Sequence, residues 1–290
     1  MIYERRYHVH EVSDYINWLY FFHAWSLPVS MAAIVDVHQC PACKEEWVER
    51  FPEDRRQQAS DAVQLYTDAL AQLREWDKAG LQTHFRLNLQ PAYSDGDDII
   101  LPELGERLPM LRQQTGQGPY LSLADFVSPE RDTIGLFAST ADSRMEATHP
   151  DDAYRHMLSQ TLADRLAEAT AEAGHEYTRH IWWGYASREC LPVRQLLECH
   201  YQGIRPAVGY PCLPDQSLNF QLGRLLDFKS MGIQLTVHAA MLPHASTTGL
   251  MIAHPQARYF TVGPIGEDQL AAYARRRGIA EEEVRTFLGM

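Results

Sequence analysis

The apolar residues of this chain change period repeatedly without settling into a strand–helix–strand rhythm, and that pattern limits the fold more than any other feature of the sequence. Residues 54–79 place Ala59, Ala62, Val63, Leu65, Leu70 and Leu73 at helical spacing, and Gly80 follows as a stop. Leu81–Gln90 alternates as a strand does, Ser94–Asp98 reads as a turn, and Ile99–Leu101 as the partner strand. Thr133–Ala138 reads as a buried strand. Pro150 and Asp151 then open a long helix carried by Tyr154, Leu158, Leu162, Leu166, Ala169 and Ala173, with Asp151 as its cap. Residues 11–24 are dense enough in aromatic and apolar side chains for a buried element. Farther on, Gly203–Pro214 reads as loop, Leu218–Lys229 as helix, and Leu235–Ala240 and Gly249–Ala253 as strands. Gln269–Arg277 and Glu281–Leu288 read as closing helices. Short strands among many helices, without regular alternation, predict α+β rather than a doubly wound sheet. No linker divides the chain, so residues 1–290 are read as one domain.

Charge narrows the partners. Lys plus Arg is 26 and Asp plus Glu is 38, a formal charge of −12, which argues against a general binder of nucleic acid or of an anionic membrane. The longest apolar stretch, Leu27–Val37, is broken by Pro28, Ser30 and Asp36 and falls far short of the ~20 residues that span a bilayer. No apolar h-region follows the N-terminal arginines, so a cytoplasmic location is expected. P-loop, Gly-x-Gly-x-x-Gly, His-Glu-x-x-His and Gly-x-Ser-x-Gly motifs are all missing. Five cysteines at irregular spacing do not read as a disulfide framework. Within His38-Gln39-Cys40-Pro41-Ala42-Cys43 the Cys-x-x-Cys pair could bind zinc, cycle redox states or be inert. A structural zinc site wants four ligands and no second such pair follows, so no metal is assigned.

Four further constellations carry chemistry, each with a plainer alternative. In Gly203–Pro211 two prolines stiffen the backbone and two glycines allow close approach. Arg205 offers a planar fork suited to a carboxylate, and Tyr210 a flat face with a hydroxyl; the alternative is a structural turn with Arg205 in solvent. Asp164 and Glu168, at i and i+4 on the long helix, share a stripe with Thr161 and His175, opposite the leucine face. They could meet a cation or an imidazole, or lie in water. Tyr259 and Phe260, in His254–Phe260, read as an aromatic pair at a strand start, packing in a core or turning the Tyr259 hydroxyl to a ligand. Arg275–Arg277 suits a solvated helix end, or a dock for an acidic partner.

Taken in order, these pieces resemble the activation domain of cobalamin-dependent methionine synthase. The resemblance runs from Tyr15-Ile16-Asn17-Trp18 and Phe21-Phe22 through Gly96–Ile99, Leu111–Thr115 and Leu123–Val127. It continues through Leu162–Ala169, Trp183–Ala186 and Tyr201-Gln202-Gly203 into the Arg-Pro-Ala-x-Gly-Tyr-Pro segment, then His254-Pro255, Asp268-Gln269 and Tyr273–Arg276. It implies a C-shaped α+β domain around a curved antiparallel sheet flanked by helices. It implies S-adenosylmethionine as ligand and a cobalamin carried by a partner, a corrinoid-binding methionine synthase chain. In that family a reductant such as flavodoxin reduces inactive cob(II)alamin, and the methyl group of S-adenosylmethionine traps the product. On this resemblance Arg205 would pair with the ligand carboxylate. Ala207 and Gly209 would bring the backbone close, and Asn17, Glu168, Tyr259 and Phe260 would line the site. Tyr210 would face the cofactor as the catalytic residue, and Asp164 with Tyr210 would touch the partner. The chain would then be half of a reactivation site rather than an enzyme by itself.

The sequence departs from the family pattern at several places. Asn17 stands where an aspartate is usual, and an amide hydrogen bond to an ammonium is roughly half as strong as a charged one. Cys212-Leu213-Pro214-Asp215-Gln216 and Val237–Met241 differ from the usual runs, and the Cys40/Cys43 pair is no family feature. No cobalamin-binding domain is fused to the chain, so action in trans is expected; the alternative is a corrinoid-protein docking module that has lost S-adenosylmethionine. The ligand-binding reading needs a groove beside Arg205, and an internal carboxylate that leaves none would end it.

Overall fold

A computed structural model describes residues 1–290. The chain opens with strand β1 (Ile2–His8), helices α1 (Val9–Val12) and α2 (Trp18–Ala24), then α3 (Pro41–Glu49) and α4 (Arg56–Lys78). Strands β2 (Gln82–Asp95), β3 (Asp98–Leu101), β4 (Glu106–Pro109) and β5 (Asp132–Ala141) follow, then α5 (Ser143–Glu146), α6 (Ala153–Tyr177) and α7 (Val193–Leu197). The remainder holds α8 (Leu218–Leu225), β6 (Gln234–Leu235), β7 (Met241–Leu242), β8 (Ser246–Ile252), α9 (Glu267–Arg277) and α10 (Glu281–Leu288). The main sheet runs β4-β3-β2-β5-β8; β1 also pairs with β2, along residues 82–88 on the edge away from β5, and every pairing is antiparallel. The α+β reading therefore holds, with a curved antiparallel sheet. No helix is long and apolar enough to cross a membrane.

The sheet separates two apolar cores, and strand alternation decides which side chain joins which. On β2, Phe85 and Leu87 enter the core under α4 and α6. On β5, Phe137 faces the same way, while Ile134, Leu136 and Ala138 join the second core with Leu222 of α8. The opposite face of β2 is polar yet buried: His84, Arg86, Asn88 and Gln90 all lie under the chain around α8. Arg86 and Asn88 donate to the carbonyls of Leu226 and Leu225 and Gln90 donates to Asn88, whereas both His84 ring nitrogens lack a hydrogen-bond partner.

Helix α4 forms as its spacing predicts, burying Ala59, Ala62, Leu65, Ala69, Leu73 and Trp76, and Gly80 follows at φ +69°. Helix α6 also forms, but its cap is Asp152, whose carboxylate accepts the Arg155 N–H at 3.0 Å; Asp151 lies outside it. Other expectations need correction. Leu218–Lys229 does not stay helical, because Asp227 takes a left-handed φ of 49° and the chain restarts as a short 3₁₀ turn. Leu235–Ala240 is not a strand: residues 236–240 form the tip of a two-stranded hairpin, where Val237 is 83% exposed. The Tyr259–Phe260 pair opens no strand, since β8 (Ser246–Ile252) is the last strand of the chain. Of Arg275–Arg277 only Arg275 is solvated: Arg276 pairs with Asp98, and Arg277 reaches Asp215 and Ser217. Strands β1 and β4 went unnoticed because Glu4, Arg5 and Arg6, like Glu106 and Arg107, mask the alternation.

Candidate functional site

Two segments build the site: the middle of α6 and residues 204–208. The latter are not a free loop. Ile204 exchanges both backbone hydrogen bonds with Ile252 (2.9 and 3.0 Å), Leu250 N–H donates to Pro206 O (3.0 Å), and Val208 N–H to Thr248 O (2.8 Å). The segment is thus an irregular edge strand on β8. Gly249 allows the approach, since a Cβ there would stand 2.1 Å from the Pro206 carbonyl oxygen. Alternation then sets the direction of each side chain: Ile204 and Val208 pack in the second core, whereas Arg205 and Ala207 turn toward α6.

Helix α6 meets Arg205 with carboxylates at i+4 intervals, Glu168 and Glu172. Arg205 Nη2 donates to Glu172 Oε2 at 3.0 Å, and both side chains are 7% exposed. Phe137 lies 5.6 Å below the guanidinium. Arg205 Nε and Nη1 have no hydrogen-bond partner, nor does Glu172 Oε1. Nη1 sits 3.8 Å from Glu168 Oε2, an ion-pair separation but beyond hydrogen-bond reach. Burial raises the Glu172 carboxyl pKa, with Arg205 pulling the other way. Burial also opposes charge on Arg205, but Glu172 and the surrounding tyrosines outweigh it and hold its pKa well above the usual value.

A cleft of about 680 Å³ opens beside this pair, within the range of small-molecule sites. Asn17, Glu168, Arg205, Tyr210, Tyr259 and Phe260 all line it, so six of the sequence-predicted residues converge. Asn17 caps α2 without a side-chain cap bond, which leaves its amide available. Tyr259 Oη accepts the Arg205 backbone N–H at 2.9 Å, and burial pushes its phenol up to about 12. Tyr210 Oη lies 3.5 Å from Glu168 Oε2, and burial raises its pKa, so it stays a protonated phenol. Arg205 is therefore both held by an internal carboxylate and adjacent to a groove.

Three expected contacts fall elsewhere. Ala207 is buried and its carbonyl accepts the Tyr210 N–H at 3.0 Å; it does not line the cleft. Gly209 is exposed, and its N–H donates to Leu213 O at 2.9 Å. Its φ of +95° and the Gln216 amide, 2.7 Å from where a Cβ would stand, explain the glycine through the turn itself. Asp164 lies a turn before Glu168, outside the cleft, and burial raises its pKa. His175 continues the same stripe one turn beyond Glu172, but it meets neither a cation nor water. It is fully buried, edge-on to Tyr201 at 4.8 Å, with its pKa well below 6.5 because of burial and then Arg179 and Arg205.

The sequence reading missed Glu172, although it lies one more i+4 step beyond Asp164 and Glu168; carrying that spacing forward would have found it. Tyr15, Tyr20 and Tyr201 also line the cleft from three separate segments, with no local signal to join them.

The family model for the vitamin B12 dependent methionine synthase activation domain matches residues 8–278. The chain belongs to this family. A crystal structure of the MetH reactivation domain bound to AdoHcy matches the activation domain described here with a TM-score of 0.83 and 34% sequence identity, covering 100% of this chain and 89% of that one. Three of the segments that carry the sequence resemblance surround the cleft: residues 15–20 at the start of α2, the middle of α6 and residues 201–211.

Proposed function

We propose that residues 1–290 act as one unit that binds S-adenosylmethionine beside Arg205. The unit docks in trans on a cobalamin-binding methionine synthase, or another corrinoid protein, and supplies the methyl group for reductive methylation of its cob(II)alamin. The observation that carries this reading is the buried Arg205–Glu172 pair, which keeps two donors and one acceptor unused at the wall of a ligand-sized cleft. Buried polar atoms without partners are costly and rare, and an amino-acid tail supplies both missing counterparts. Its carboxylate fits the Arg205 fork, and its ammonium fits Glu172, Glu168 and the Asn17 amide. The related reactivation domain bound to AdoHcy supports the same ligand class.

The remaining roles follow from position. Phe260 and Tyr259 offer ring faces to the adenosyl group, and the Tyr259 hydroxyl fixes the Arg205 backbone. Ala207 and Gly209 act through the turn that aims Tyr210. Tyr210, hydrogen-bonding near Glu168, faces the corrin. Asp164, outside the cleft, meets the partner. When bound, the corrin supplies cobalt as the methyl acceptor, and a flavodoxin-like donor supplies one electron. Holding the sulfonium methyl in line is what this chain contributes, and positioning of that kind lowers a barrier without acid–base chemistry.

Calorimetric titration with S-adenosylmethionine tests the reading. One site per chain is expected, weakened at least about 30-fold by Arg205→Gln, since removing one partner of a buried charged contact costs 2 kcal/mol or more. No heat at millimolar ligand rejects it; retained binding to a corrinoid protein in that case establishes the docking module instead. Mixing with cobalamin-loaded partner, reductant and S-adenosylmethionine should convert the cob(II)alamin spectrum to that of methylcobalamin, and no conversion rejects the trans role.

A further inference from the structure

The Cys40/Cys43 pair takes no part in the cleft. Its setting is nevertheless specific. The side-chain donor atoms of His38, Cys40 and Cys43 all lie within 4.8 Å of one another. In a tetrahedral zinc site, bond lengths of about 2.0–2.3 Å put ligand atoms about 3.5–3.8 Å apart. The three donors therefore need only small side-chain movements to close on one ion.

The backbone holds them ready. Cys40 is the N-cap of α3 and Pro41 occupies its first turn, which fixes the entry angle. Cys43 comes one turn later, and its N–H points at Cys40 Sγ at 3.4 Å. Gln39 Nε2 donates to Val37 O at 2.8 Å, tying down the approach that carries His38. Helix α3 is anchored by Trp47, 5% exposed in the main core, and by Lys44 Nζ donating to Thr67 Oγ1 of α4 at 2.8 Å. Donors on a packed helix and a pinned turn keep their geometry better than donors on a free loop.

The donor set selects the ion. Two sulfurs and one imidazole suit zinc, whereas calcium and magnesium want oxygen. His38 is exposed and both cysteines are half-buried, and no fourth His, Cys, Asp or Glu joins the group. Three protein ligands with one position open to solvent is the arrangement of zinc sites that accept water or an incoming donor.

We propose that His38, Cys40 and Cys43 bind one zinc ion and leave its fourth position to solvent. The site stands apart from the cleft and does not depend on what the cleft binds. It differs from the structural four-ligand zinc considered from the sequence, because the third donor comes from two residues upstream and no fourth is needed.

The test uses the full chain, reduced and freed of metal, titrated anaerobically with Co²⁺ and then Zn²⁺. One equivalent of Co²⁺ should give sulfur-to-metal charge transfer and four-coordinate ligand-field bands, bleached by one equivalent of Zn²⁺. The Cys40→Ser/Cys43→Ser double variant should lose both signals. His38→Ala should weaken zinc at least about tenfold, measured against a chromophoric chelator. All three positions are at or near the surface, and an unchanged circular dichroism spectrum and melting curve verify folding. Absence of the cobalt bands, or bands that persist in the double variant, overturns the proposal. So does a Cys40–Cys43 disulfide that forms in glutathione buffer while zinc stays unbound, which would make the pair a redox couple.

Discussion

Arg86 and Arg205 are both buried, both on the main sheet or its edge, and both paired with a glutamate, yet they serve opposite ends. Arg86 uses its whole guanidinium: Nε and Nη2 bond Glu4, and Nη1 bonds Leu226 O at 2.8 Å, Asp227 O at 3.2 Å and Ser230 Oγ at 2.6 Å. It ties β1, β2 and the end of α8 together. Arg205 makes one side-chain hydrogen bond, to Glu172, and leaves Nε and Nη1 unpartnered at a cleft. Between these two, burial is alike, and what differs is the pair of unanswered donors that Arg205 keeps beside a cleft.

The largest expected effect breaks the structural member. Arg86→Met strands three acceptors around α8, and because Glu4 is half exposed the cost should be about 3 kcal/mol rather than more. Urea denaturation should show this as a lower midpoint, with ligand affinity in the surviving folded protein unchanged. Next comes Arg205→Gln, with the loss of affinity at least about 30-fold given above. Its stability cost should be smaller than that of Arg86→Met, since Glu172, already pushed toward its neutral form by burial, can take up a proton. If the two variants show the same pattern in both measurements, the contrast fails.

A smaller effect sharpens it. Asn17→Asp restores a carboxylate to the cleft wall and should tighten S-adenosylmethionine about fivefold, roughly 1 kcal/mol for a neutral contact made charged. The gain should shrink in high salt, and an unchanged calorimetric constant would place Asn17 away from the ammonium.

A further effect is in pH. His175 has a folded pKa well below 6.5, so beneath about pH 6.5 the unfolded chain binds a proton that the folded chain refuses. Stability from this group is present above that pH and is lost as pH falls, by at most about 1.4 kcal/mol per pH unit. Glu172, whose pKa is raised, works in the opposite sense at lower pH. The readout is therefore the difference between wild type and His175→Gln in urea midpoints from pH 7 to 5.5. It should narrow as the solution becomes more acidic; parallel curves would mean His175 titrates normally.

Much of this was legible along the chain because it is local. The apolar period of residues 54–79 foretells α4 within two residues, and Leu158, Leu162 and Leu166 foretell α6. The order of motifs from Tyr15 to Arg276 was enough for the family. What escaped has physical causes. Strand alternation on β2 showed one apolar face but not that the polar face is also covered, since that depends on α8, more than a hundred residues later. His175 looks like a surface residue on a helical wheel, and only the packing of Tyr201 and Tyr185 puts it in the dark.

The sequence alone settled which residue types stand in which local conformation. That includes helices α4 and α6, with Asp164 and Glu168 one turn apart on α6, since apolar period and capping act over a few residues. Only the tertiary structure decided that Arg205 lies along β8 facing Glu172, and that the pair is left half-answered beside a cleft. Which partner a charged group meets is fixed by elements brought together from distant parts of the chain, and no local rule of spacing encodes that meeting.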